Sequence, residues 1–169
     1  MYTILVKRGG LQRMAAKEHR YRPTIVWTGN TGTGTASYKA YERAHIISAS
    51  GKAEIAGSSD KSFGGDASRW NPEDLLVVSV STCHMLWYLH LCAVSDVVVL
   101  DYRDEPEGLM IEEANGSGAF SRIVLRPRIT LAASSSEQRA RELHHEAHRM
   151  CFIANSVKCE IVTEPVISR

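Results

Sequence analysis

The chain has 169 residues, 44% of them hydrophobic, and its 20 basic and 19 acidic side chains leave a formal net charge of +1. That length suits one domain with a substantial core, or one subunit of a small oligomer. The balanced charge argues against a nucleic-acid partner and against an acidic solvating tail.

Residues 1–21 read as an N-terminal extension and residues 22–169 as a single domain. The first thirteen residues are basic and contain Gly9-Gly10, so Met14 is the expected native start and residues 1–13 an upstream addition. Their only apolar stretch, Ile4-Leu5-Val6, is too short for a secretory signal. Thr24 to Thr28 is β-branched and aromatic, which predicts a strand. Gly29 to Gly32 is a turn. Thr33 to Tyr41 and Arg43 to Ala49 are expected to continue an antiparallel meander, with a turn at Ser50-Gly51-Lys52. Gly57 to Arg69 is polar and glycine-rich, hence a loop.

Asn71-Pro72-Glu73-Asp74 carries the marks of a helix start: Asn as N-cap, Pro at the first helical position, acids in the first turn. The helix is expected to run to about Cys92. Beyond its first turn it is apolar nearly all round, which predicts burial on most sides, with a sheet on one side and a partner on the other. The longest apolar-rich run, Leu75 to Val99, is interrupted by Ser79, Ser81, Thr82, His84, His90 and Asp96, so no membrane span or membrane partner is expected. Val97 to Tyr102 predicts a strand. Asn115 to Gly118 is a turn between strands. Ser121 to Ala132 predicts one strand, with Ile123, Leu125, Ile129 and Leu131 on a shared face. A second helix opens at Ser134, with Glu137 three residues on as in a capping box, and runs to about Cys151. Cys159 to Thr163 predicts a closing strand. The sum is an α+β fold: an antiparallel sheet, one buried helix and one peripheral helix.

Without a signal segment, a reducing cytoplasm is expected, where four cysteines serve as thiols, metal ligands or catalytic groups. Cys83 sits mid-helix among Ser79, Ser81, Thr82 and His84, small polar residues that suggest an opening beside it. Cys92, nine residues on, faces the other way and cannot share its site. A thiolate is the competent nucleophile, and Cys83 lies about 15 Å past the helix N-terminus, too far for that end to help. It needs a cation from elsewhere. Arg43 and Arg69 are the candidates, and Glu73 is a carboxylate able to orient either. Glu73 and Cys83 cannot touch directly along the helix, so a shared site needs the arginine's reach or a subunit interface; on spacing alone the favoured reading is that Glu73 serves the helix dipole and Arg69 is solvated. His144, His148 and Cys151 form a competing set, spaced i, i+4, i+7 on one helix face and able in principle to bind zinc.

The segment RWNPEDLLVVSVSTCHMLWY, from Arg69 to Tyr88, resembles the OsmC/Ohr family of hydroperoxide-reducing proteins. The family carries an Asn-Pro-Glu helix start with the reactive cysteine ten residues after the Glu, here Asn71-Pro72-Glu73 and Cys83. A second cysteine on the later helix is similarly matched by Cys151 in HRMCFIANSV, with Phe152 where the family usually has proline. The Trp27 to Gly34 hairpin is also similar to the family's opening. The resemblance implies an intertwined homodimer with the two central helices packed between sheets. It implies reduction of organic hydroperoxides, with Cys83 the peroxidatic thiol, Cys151 the resolving thiol and Glu73 the carboxylate that positions the arginine. Arg43 is preferred as that arginine over Arg69, because a strand holds a side chain more firmly than a loop tip. The resemblance further implies a lipoyl-type external dithiol as reductant and no bound cofactor, since sulfur carries the electrons. A different thiol enzyme, a binding module on the same fold, and the His144/His148/Cys151 metal site are the alternatives.

Overall fold

A computed structural model describes residues 17–169. The proposed start at Met14 and the foreign stretch 1–13 lie outside the described residues. Among the described residues, nine strands form three three-stranded sheets around two α-helices. The first sheet joins β1 (Thr24–Trp27), β2 (His45–Ser48) and β3 (Ile55–Gly57), all antiparallel. The second has the order β4 (Val99–Arg103), β7 (Arg128–Leu131), β9 (Val166–Ser168), and the third β5 (Glu107–Glu112), β6 (Gly118–Leu125), β8 (Glu160–Thr163). The expectation of purely antiparallel pairing is corrected here. β8 runs parallel to β6 and β9 parallel to β7, because the chain returns through a helix before adding these strands.

Two other expectations are corrected by local polar chemistry. Residues 33–41 are not a strand. The Asn30 carboxamide oxygen accepts from the Gly32 and Gly34 N–H groups at 2.9 and 3.0 Å, curling the chain into a loop that touches the meander through a single Asn30–Tyr41 bridge. The 121–132 stretch is two strands in different sheets. Pro127 has no N–H to give, and the Arg126 N–H goes to Asp104 at 2.7 Å, so the ladder breaks there and the chain crosses over. The alternating set survives the split: Ile123, Leu125, Ile129 and Leu131 are all at most 1% exposed.

The first helix, α1 (Pro72–Val94), starts as its sequence dictates, with the Asn71 side chain accepting from the Asp74 N–H at 2.7 Å. It runs two residues beyond the expected end. The second, α2 (Glu137–Met150), is capped by Ser136 rather than Ser134. Ser134 stands too early because the chain still turns there, with Ser135 N–H on the Ala132 carbonyl at 2.9 Å. α1 packs on α2 over a core of Tyr88, Cys92, Val97, Ile129, Leu131, Ala140, Leu143 and Ala147. A smaller cluster sets Val80 against Ile123 and Leu125.

By length and composition α1 could cross a membrane, which corrects the expectation that its polar residues rule this out. The Ser79 and Thr82 hydroxyls bond back to the Leu76 and Val78 carbonyls at 2.7 and 2.8 Å, so they interrupt its apolar character little. Its contacts with α2 and the sheets make it a core helix. Burial on most sides is not met within one chain. Val80, Ser81, His84, Tyr88 and Cys92 face inward, whereas Val78, Leu86 and Val94 are exposed, as are Ile25, Val26 and Trp27 on β1.

Candidate active site around Cys83 and Cys151

Cys83 is half-buried on the fourth turn of α1 and Cys151 is fully buried at the C-cap of α2. α1 and α2 are long neighbours in the core, and their packing sets the Cys83 side chain beside that of Cys151. Burial pushes the Cys151 thiol up to about 11. The adjoining Cys83 adds to that rise, and the Ala154 N–H, 3.4 Å from the Cys151 sulfur, works against it. Cys151 therefore stays a neutral thiol at physiological pH.

Cys83 opens onto a cleft of about 870 Å³. Ser79 and Thr82 line it, as the small polar neighbours of Cys83 suggested, together with Leu86, Trp87, Phe152 and Ile153. Phe152 meets Trp87 edge to face at 5.8 Å, so the residue that replaces the usual proline forms part of an aromatic wall. Lys52, His19 and Tyr21 complete the lining. These three were missed in the sequence. The only signal was that Lys52 is a basic residue in a turn, and His19 and Tyr21 fall in the segment assigned to an extension outside the domain.

The other two expected residues are not in this cleft. Arg43 lies just before β2, not on a strand, and is held by its own neighbours. Its guanidinium donates to the Tyr41 and Tyr38 carbonyls at 2.7 and 2.9 Å and stacks over both rings at 4.5 and 4.2 Å. It shares a small cavity with Arg69. Glu73 lines a different hollow, with Trp70, Val77 and Phe120. Glu73 Oε2 and Arg69 Nη1 are both buried without a hydrogen-bond partner among the described residues.

The metal alternative loses its geometry. Among the described residues no group of three His, Cys, Asp or Glu side chains is arranged to hold a metal ion. Cys151 turns toward Cys83, while the buried His144 sets its Nδ1 against the Nε2 of His84 at 3.0 Å. Helical spacing put His144, His148 and Cys151 on one face but could not show that this face is split between a cavity and the core.

Comparison with known proteins decides the family. The model of the OsmC-like protein family matches residues 65–165, well over half the chain. The chain belongs to the OsmC-like family. An OsmC-like protein of unknown function from Vibrio cholerae is 28% identical, with a TM-score of 0.80 over 88% of this chain and 100% of that one. An organic hydroperoxide resistance protein from Legionella pneumophila shares the fold at 16% identity and a TM-score of 0.63, over 90% of this chain and 100% of its own. One from Elizabethkingia anophelis, with thiocyanate bound, does so at 17% identity and 0.63, over 90% and 99%. No curated protein matches the sequence. The α+β architecture of this OsmC-like chain is therefore that of its family.

Proposed function

We propose that this OsmC-like protein is a thiol peroxidase that reduces organic hydroperoxides to alcohols. The observation that carries the reading is the pair of adjoining sulfurs, one open to an apolar cleft and one sealed behind it. The Cys83 thiolate attacks one peroxide oxygen, the O–O bond breaks, and the alkoxide takes a proton and leaves as alcohol. Cys83 becomes a sulfenic acid. The Cys151 thiol gives up its proton as its sulfur attacks the sulfenic acid, the S–O bond breaks, and the Cys83–Cys151 disulfide forms with release of water. An external dithiol of the lipoyl type restores both thiols by exchange and leaves as its own disulfide. Trp87, Phe152 and Leu86 favour a peroxide with a greasy substituent over hydrogen peroxide.

A homodimer belongs to this reading. Arg43 and Glu73 line other cavities of the same chain, so their roles as thiolate-stabilising arginine and positioning carboxylate require the second copy to bring them to Cys83. The exposed apolar residues of α1 and β1 offer a surface for that copy. Arg69, with an unpaired buried nitrogen four residues from Glu73, is the alternative arginine. Four free cysteines suit a reducing cytoplasm.

The test is consumption of cumene hydroperoxide with dihydrolipoamide as reductant, comparing wild type with Cys83→Ser. Rapid loss in wild type alone is expected. Equal, slow rates in both proteins would sink the peroxidase reading.

A further inference from the structure

α2 has a second polar face that the sulfur chemistry does not use. Arg141, His144, His145 and His148 recur at i, i+3, i+4, i+7 and line a cavity of about 430 Å³ whose opposite wall is β8 and the turn after it. None of its lining residues is shared with the Cys83 cleft. Two polar atoms at this cavity are buried and have no partner among the described residues: His144 Nε2 and Thr163 Oγ1. His144 is only 3% exposed. Buried polar atoms without partners are uncommon and call for an occupant.

The direction of His144 follows from its neighbours. Its Nδ1 meets His84 at 3.0 Å, and its ring lies flat on Tyr88 with centroids 3.9 Å apart. The ring is thus fixed, with Nε2 on the side away from the His84 contact. Burial keeps both imidazoles neutral. When His84 Nε2–H donates to His144 Nδ1, the His144 proton must sit on Nε2, which makes that atom a donor. The Thr163 hydroxyl is a second potential donor. Arg141 gives Nη2 to Glu137 at 2.7 Å, and a guanidinium carries five donors. No carboxylate stands among the described lining residues, while Ile161, Val162 and Pro165 supply apolar wall.

We infer that this cavity binds a small oxyanion, a carboxylate or phosphate group on a compact skeleton, through Arg141, His144 Nε2 and Thr163 Oγ1. The site stands or falls independently of the peroxidase reading.

The experiment is titration of the full ¹⁵N-labelled chain with inorganic phosphate and, separately, with succinate, reading the imidazole nitrogens and the Thr163 amide. Saturable shifts at His144 and Thr163, with resonances of Leu86 in the Cys83 cleft unmoved, are expected for at least one probe. Phosphate alone, succinate alone, or both would each support the site and identify its ligand chemistry. Arg141→Gln and Thr163→Val should each weaken binding by about tenfold or more, since each removes a hydrogen bond to a charged group. No saturable shift with either probe would overturn the inference and leave a hydrated void. Undiminished binding in both variants would overturn it too, by placing the anion elsewhere. The wild-type titration decides the matter even where a variant fails to fold.

Discussion

Acid should destabilise this protein through one buried pair. His84 and His144 are 1% and 3% exposed and lie edge to edge, with ring centroids 5.4 Å apart and planes 4° from parallel. Burial holds His84 down to about 4 and His144 to about 3, against an ordinary 6.5. Nearby positive charge deepens the depression: His148 for His84, and His84, His145 and Arg141 for His144. Above 6.5 neither the folded nor the unfolded chain protonates these rings, and their contribution to stability is fully present. Below 6.5 the unfolded chain takes up protons that the native one refuses until about 4 and about 3. Stability therefore drains as pH falls through that window. At about pH 5 the gap is about 1.5 units, or about 2 kcal/mol for each histidine and about 4 kcal/mol for the pair. With a urea slope of about 2 kcal/mol per molar, the unfolding midpoint should fall by about 2 M between about pH 7.5 and pH 5. The assay is urea denaturation at one fixed protein concentration, so that the concentration dependence of any assembly is the same in every sample. A His84→Phe/His144→Phe variant should lose most of this pH dependence. An unchanged wild-type midpoint, or a folded-state imidazole of either residue titrating near its ordinary value by NMR, would refute the reasoning.

Cys151→Ser should form the Cys83 sulfenic acid at the wild-type rate, trapped by dimedone in a single turnover, yet stall with the dithiol; full multiple turnover would remove Cys151 from the resolving role. Leu125→Ala opens a cavity in the cluster that joins α1 to β6, at a residue with no exposure. It should cost about 2–5 kcal/mol in urea unfolding, and a loss below about 1 kcal/mol would mean that this cluster is not a tightly packed core.

Local chemistry made much of this chain legible before folding is considered. The start of α1 needed only Asn71, Pro72 and two acids, because a cap is satisfied within one turn of chain. The buried face of Ile123, Leu125, Ile129 and Leu131 was visible as a two-residue alternation, and the cysteine spacing from Asn71-Pro72-Glu73 marked Cys83 and the family. Where a side chain captures backbone N–H groups against a pattern, the reading failed. Asn30 curls residues that looked like strand, and Asp104, more than twenty residues away, captures the Arg126 N–H and divides one apparent strand into two. The meeting of Cys83 and Cys151, the pairing of His84 with His144 and the entry of Lys52 and His19 into the cleft join residues far apart in the chain. Such meetings follow from how α1, α2 and the sheets pack, which no periodicity encodes, so the sequence determined which reactive residue types stand at which positions and the tertiary structure decided which of them face one another.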